Sequence, residues 1–458
     1  MSAGALPGFR DFYPRELAER EHVFRVWHDV ARRFGFEQYD GPPLEPLELY
    51  TRKSGEEIVG QLYHFTDKGG REVALRPEMT PTFARMVSAR ANALRKPVRW
   101  YSLPQLFRHE RQQKGRLREH FQLNVDIVGD AEIGSDAELL AVAIEIMRGC
   151  GLTAEDVVAR VSDRRLLTAL LRAWGVPDEA VPAAYAAVDK IEREPRARLT
   201  ARLQEAGIST GDTARVLDAV AASDLAALRR AHGTEPDVAE SLDRMERYLA
   251  LLTAHGVANW VRFDLSIVRG LAYYTGLVFE LFDRKGEFRA ICGGGRYDTL
   301  LRDLGDTDLP ALGFGMGDVV LGELLRARGL MTPTRAGTDF YVAAEFPVTD
   351  TEVIEIATAL RRTGASVEYA FSRGPLGRQR KAAWSAQACY IVEVRPTDEG
   401  LRLQLRDGAG AGVVGAVANV RTLGDVVGHA HLSLDDLLMV LKANPRSLGR
   451  GFAGRFRG

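Results

Sequence analysis

Between Leu117 and Ile127 apolar and polar residues alternate almost without a break, and no other stretch restricts the fold as tightly. Leu117, Phe121, Leu123, Val125 and Ile127 occupy the odd positions, with Glu119 the one exception. Arg118, His120, Gln122, Asn124 and Asp126 fill the even ones. A period of two belongs to an extended chain whose successive side chains point to opposite faces. The pattern therefore predicts a strand with one face in a core and the other lining something polar. The preceding LFRHE puts Arg108 and Glu110 on one face of a partner strand, and the basic, turn-rich Arg111–Arg116 segment joins the two in a long antiparallel hairpin. Gln, Asn and Asp are poor strand formers, so Gln122, Asn124 and Asp126 argue against a merely solvated face. A guanidinium, carboxylates and amides converging there suit a zwitterionic, phosphorylated ligand.

Around this hairpin the chain is mixed α and β. Val23, Trp27, Val30 and Phe34 recur at helical spacing between Pro14 and Gly35, and Gly35 is placed to stop the helix. The run after it, FEQYDGPPLEPLELY, reads as extended edge chain because Pro42 and Pro43 forbid continued helix. Residues from about 164 to 255 form short helices broken by GVPDE, AGIST and HGTEP. Strand-like runs flank that block on both sides, as for a helical module inserted into one sheet domain. LPALGFGMGDVVLGELLRARG predicts a strand, Asp318 as N-cap, a helix and a stop at Gly329. The expected division is a sheet domain over 1–330, a small α/β domain over 336–430 and a basic, flexible tail over 431–458.

At roughly 100–200 residues per domain, 458 residues are enough for two to four globular units. With 61 Lys and Arg against 62 Asp and Glu the chain is not a polycation, although a local basic face would suffice for nucleic acid. Cys150, Cys292 and Cys389 lie too far apart in sequence for a zinc motif or a disulfide framework, which points to a reducing cytoplasm. No apolar run is long enough to span a bilayer, and MSAGALPGFRDF lacks the layout of a signal peptide. A soluble, cytoplasmic protein is expected.

Several motifs together carry a resemblance. FRHERQQKGRLREHFQLNVD resembles motif 2 of class II aminoacyl-tRNA synthetases, and in detail that of the histidyl-tRNA synthetase family. IVRGLAYYTGLVFE and ICGGGRYD look like the pair of segments peculiar to that family, LRPEMT is similar to its early amino-acid-binding loop, and LPGFRDFYP and the run ending at Pro42 also match. The resemblance implies an α+β fold: a class II antiparallel sheet with flanking helices, a helical insertion and a C-terminal α/β domain like those that bind anticodons. It implies histidine, ATP with Mg²⁺, and tRNA(His) as partners, and a homodimer built partly around the segment ending at Pro42. Residue by residue, Arg108 would grip the α-phosphate and the histidine carboxylate, and Arg269 would neutralise charge as that carboxylate attacks; these two are the expected catalytic groups. Glu78, Met79, Thr80 and Gln122 would surround the histidine α-ammonium. Asp126 and Tyr274 would bind the imidazole, with Tyr273 and Tyr297 closing the pocket. Glu110, Arg116 and His120 would contact ATP. Arg378, Arg380 and Lys381 of GPLGRQRKAAW could meet tRNA phosphates, or could equally be a solvated helix face.

Departures from the pattern define the alternatives. Motif 3 of the class resembles GxGxER, its Arg holding the γ-phosphate, whereas this chain reads GFGMGDVVL with Val319 and Val320 at those places. Ala272 stands where the family often has Asp, and His120 precedes Phe121 where Phe usually comes first. Alongside an active histidine–tRNA ligase the sequence leaves two readings open. One is a catalytically silent histidine sensor, such as a regulatory subunit of ATP phosphoribosyltransferase. The other is a tRNA-sensing paralogue. GGGRYD, read alone, is a Gly-rich turn without the setting of a phosphate or dinucleotide loop; in this context it would bring backbone close to the ligand and place Tyr297.

Overall fold

The computed structural model describes residues 4–51, 60–109, 115, 117–269, 274–305, 307–331, 337–362, 364–372, 374–398, 400–408 and 413–420. The chain forms two compact units, Met1–Thr332 and Pro333–Gly458.

The first unit is built on a nine-stranded sheet whose order is Glu37–Gln38, Val98–Ser102, Glu119–Val128, Ala311–Gly317, Cys292–Arg296, Leu277–Asp283, Val157–Asp163 and Val261–Phe263, with Gln105–Phe107 paired to the start of Glu119–Val128. Neighbours are antiparallel through the middle and parallel at both edges. The alternating segment is the 10-residue strand Glu119–Val128. Its hairpin partner comes in two pieces, because Leu103-Pro104 interrupts the run between Val98–Ser102 and Gln105–Phe107. A proline cannot donate a ladder hydrogen bond, which explains the break.

Leu123, Val125 and Ile127 enter the main core, packed against Val23, Trp27 and Val30 of helix Pro14–Arg33 and against Leu139, Leu140 and Ala143 of helix Ile133–Gly149. The first helix ends as its sequence requires. Gly35 has φ +73°, its N–H bonds the Arg32 carbonyl, and the Phe36 N–H reaches back to Ala31. Glu119, the break in the alternation, is buried on this core side and accepts hydrogen bonds from Arg10 Nε (2.6 Å) and Gln105 Nε2 (2.9 Å). The exception is thus a buried acid with partners.

Two expectations are corrected. Leu47–Thr51 is a short helix that buries Tyr50, where extended chain was expected. Asp318 is the first residue of helix Asp318–Ala327 and does not cap it; its carboxylate accepts from the Phe121 N–H (2.9 Å) and Arg10 Nη1 (2.8 Å). Gly317 holds the cap position, and a guanidinium brought from the far end of the unit's sequence engages the carboxylate instead.

Between Val157–Asp163 and Val261–Phe263 lie six α-helices, from Arg164–Ala173 to Pro236–Ala254, with a core of their own around Leu167, Trp174, Leu203 and Leu217. The second unit is a five-stranded sheet ordered Val367–Tyr369, Phe340–Ala344, Tyr390–Thr397, Gly400–Asp407 and Val413–Val420, with helices Asp350–Arg362 and Leu376–Ser385. Its first three strands are parallel, as an alternating β and α pattern requires. The last two strands have no counterpart in the sequence reading. Residues 431–458, expected to be a tail, lie outside the described residues.

Candidate active site

The face of the large sheet opposite the main core carries the site. Register places Gln122, Asn124 and Asp126 opposite Gly317, Gly315 and Gly313, and carries the same face on to Gly293 and Gly295 and then Glu280 and Val278. Glycine is unusual in central strands, because it adds conformational entropy to the unfolded chain and has no side chain to pack. Here the space is occupied. A Cβ at Gly313 would overlap the Asp126 carboxylate, one at Gly315 the Gln122 amide, and one at Gly293 the Arg269 guanidinium. Cys292–Arg296 is therefore a central strand, buried throughout, and not the turn that GGGRYD suggests when read alone. The floor of the site is bare backbone so that the walls can lean over it.

At one end Asp126 is 2% exposed. The Tyr297 hydroxyl donates to its Oδ1, while Oδ2 is buried and has no hydrogen-bond partner among the described residues. Burial pushes the carboxyl up to about 7 against the opposing pull of the Tyr297 hydrogen bond. Tyr274 and Tyr297 are buried in one cluster with Phe83 and Leu301, which backs this end of the site. Tyr297 is set by the residue before it. Arg296, 1% exposed, forks onto Asp136 (Nε to Oδ1 3.0 Å, Nη2 to Oδ2 2.6 Å) and also bonds the Asp130 carbonyl (3.0 Å) and Ser135 Oγ (3.1 Å). Sequence reading passed over Arg296. Its only signal was a guanidinium next to a triple glycine in a buried strand.

At the other end Arg269 has φ +57°, a left-handed backbone that costs a non-glycine residue of order 1 kcal/mol or more. Arg164 Nη1 bonds the carbonyls of Val268 (2.7 Å) and Arg269 (3.4 Å) and so supports this bend. The side chain then donates to Glu280 and lies with Cζ 5.6 Å from the Tyr274 ring centre. Strained backbone held by surrounding contacts at a polar face is a mark of a functional position.

The LRPEMT loop forms the wall over Arg108. Arg108 Nε donates to the Pro77 carbonyl (2.8 Å), and the Phe107 N–H bonds Arg76 O (3.0 Å). Glu78 and Thr80 are buried beside this contact, Thr80 opening helix Thr80–Ala89. Met79 is wholly buried against Arg76 (Sδ to Nη1 3.9 Å), which makes it part of the loop's packing. Gln122 Nε2 donates to Asn124 Oδ1 (2.9 Å). His120 shares the face of Gln122, and its imidazole is pushed down to about 4 by burial and by the neighbouring Arg108, so it is neutral at pH 7. Phe121 points the other way, against Phe12 and Phe24 with Arg20 Cζ 4.5 Å from its ring centre. Strand parity thus explains the His120-Phe121 order. Glu110, Arg116 and Tyr273 lie outside the described residues.

In the second unit, Arg378 and Lys381 are exposed on helix Leu376–Ser385. Arg380 is engaged inward, its Nε and Nη2 on the two carboxylate oxygens of fully buried Glu393 (2.5 and 3.0 Å), which Arg406 also meets (2.8 Å).

An antiparallel sheet backed by helices, with a glycine floor between a buried carboxylate and a cationic end, is the fold of a class II aminoacyl-tRNA synthetase. The crystal structure of histidyl-tRNA synthetase from Nostoc sp. PCC 7120 superimposes with a TM-score of 0.79 at 23% identity, over 95% of this chain and 99% of that one, a likeness of fold. The family profile "Histidyl-tRNA synthetase" matches residues 8–317. The histidine–tRNA ligase of Opitutus terrae is 46% identical over 398 residues, 86% of this chain and 91% of that protein. That of Thermoplasma volcanium is 37% identical over 430 residues, covering 93% and 98%. This chain belongs to the histidyl-tRNA synthetase family.

Proposed function

We propose that this chain is a histidine–tRNA ligase that works through the glycine-floored face, with Asp126 selecting the imidazole and Arg108 and Arg269 acting on the carboxylate and α-phosphate. Family membership supports the activity. The observation that supports the residue assignment is the buried Oδ2 of Asp126, an acceptor with no donor among the described residues. An imidazole N–H supplies that donor, and an unmet buried acceptor discriminates strongly against side chains lacking one.

In the first step a histidine carboxylate oxygen attacks the α-phosphorus of ATP, the bond from that phosphorus to the β-bridging oxygen breaks, and pyrophosphate leaves. Guanidinium groups already oriented by Pro77 O and Glu280 stabilise the charge with little reorganisation. In the second step a 3′-terminal hydroxyl of tRNA(His) attacks the histidyl carbonyl and AMP departs. Glu78, Thr80 and Gln122 receive the α-ammonium, Tyr273, Tyr274 and Tyr297 close the pocket, and His120, with Glu110 and Arg116, contacts the nucleotide. ATP would enter as its Mg²⁺ complex, in which the ion would offset phosphate charge. The second unit serves the anticodon end of the tRNA through exposed Arg378 and Lys381. We further propose a cytoplasmic homodimer, which sedimentation at micromolar concentration would register as twice the 50.5 kDa chain mass.

ATP–pyrophosphate exchange across the individual amino acids tests the assignment. Exchange with histidine alone, lost in Arg269→Ala, is the expected result. Histidine binding without exchange would replace the ligase with a histidine sensor.

A further inference from the structure

Past Glu280 the same face opens into a cavity of about 790 Å³, walled by Arg160, Glu280, Phe288, Arg289, Gly115 and Val320. Five arginines and three acids line it, and each acid is already engaged by an arginine. Glu192 holds Arg160 (2.5 and 2.9 Å), Glu280 holds Arg269, and Asp283 holds Arg328 (2.5 Å). Arg160 and Arg262 also share Asp264 (2.7 and 3.3 Å). Arg284 directs its guanidinium to the carbonyls of Ala154 and Asn259. The cavity is therefore a positively charged chamber that begins beside Arg269, and Val320 contributes methyl groups and no charge to its wall.

A group transfer at an α-phosphorus needs such a chamber for its leaving group, whose charge rises as the bond breaks. The geometry points to Arg289 as the residue that holds the pyrophosphate end of ATP in this cavity. Its base is held on both sides, because neighbouring Phe288 packs on the main core and strand Cys292–Arg296 begins three residues further on. A guanidinium can also meet two phosphate oxygens at once, as an ammonium cannot. This inference rests on the adenylate chemistry proposed above.

The test is pyrophosphate exchange with full-length Arg289→Ala. Loss of one charge-assisted contact should raise the KM for both ATP and inorganic pyrophosphate by about 10- to 100-fold. Histidine affinity by calorimetry should stay within twofold. Position 320 faces the same cavity, so Val320→Arg combined with Arg289→Ala should recover most of the loss, which a merely structural role for Arg289 would not allow. Val320→Arg alone reports whether that side chain is tolerated. Unchanged constants in Arg289→Ala, or the same loss in Arg193→Ala instead, would overturn the assignment while leaving the ligase reading intact. If the unmodified protein exchanges with no amino acid, the ligase reading itself fails. Calorimetric titration with inorganic pyrophosphate then decides the cavity directly: binding weakened by Arg289→Ala upholds it, and no binding removes it.

Discussion

Replacing Asp126 by Asn separates imidazole recognition from every other contact in the site. The amide can still accept from Tyr297 through its oxygen, but it puts an N–H₂ where Oδ2 lacks a donor among the described residues. A hydrogen bond to a charged acceptor contributes ~1.5–3 kcal/mol, so histidine should bind roughly 10- to 150-fold more weakly. The pH dependence gives a second reading. With the carboxyl raised to about 7, its ionised fraction falls about tenfold for each unit below that value, and histidine affinity should fall with it. His120, at about 4, does not titrate in this window. Histidine itself titrates near pH 6–7, but identically for both proteins, so the difference between the two curves isolates Asp126. Stability moves oppositely. A folded carboxyl raised above its unfolded value binds its proton more tightly in the native state, so the contribution of this one group to stability is fullest below pH 3.8 and is lost as the pH rises through about 7, in total by ~4 kcal/mol. Asp126→Asn should accordingly melt no lower than the parent at pH 8. Calorimetric titrations at pH 6, 7 and 8, with melting curves at the same values, measure both effects. Histidine affinity within threefold of the parent at pH 8, or an identical pH profile, would refute the reasoning.

Three further outcomes follow from the packing. Gly293→Ala places a methyl on the Arg269 guanidinium and should lower kcat for exchange by about 100-fold, since an ångström of displacement at a reacting group has that effect, with circular dichroism unchanged. Arg296→Met leaves Asp136 buried without its forked partner and should destabilise the first unit by about 3–5 kcal/mol in urea titrations. Arg380→Ala should act on stability, by roughly 1–3 kcal/mol through Glu393, whereas Arg378→Ala and Lys381→Ala should weaken tRNA binding and flatten its salt dependence, read by filter binding at two ionic strengths.

Local rules made much of this legible from residues alone. Parity along Leu117–Ile127 assigns Asp126, Gln122 and His120 to one face and Phe121 to the other, because a strand has no freedom to do otherwise. The first helix, its glycine stop, the helical insertion and the alternating second unit follow from the same short-range periodicities. Where a partner distant in sequence intervened, at Asp318, local inference failed at that residue.

What sequence alone could not supply are the pairings that cross long stretches of chain. Arg10 meets Asp318 across 308 positions, Tyr297 meets Asp126 across 171, and Arg296 meets Asp136 across 160. Glu119 looked like an error in a pattern until Arg10 was brought beside it, and Arg380 looked like a solvent cation until Glu393 was found beneath it. The physical reason is the range of the forces. Periodicity, capping and glycine conformation act within a few residues, and so the sequence by itself determines which face each side chain takes. A buried charge must find a partner wherever the fold can bring one, so only the tertiary structure decided which acids are engaged, which oxygen of Asp126 the Tyr297 hydroxyl takes, and that glycines make the floor between them.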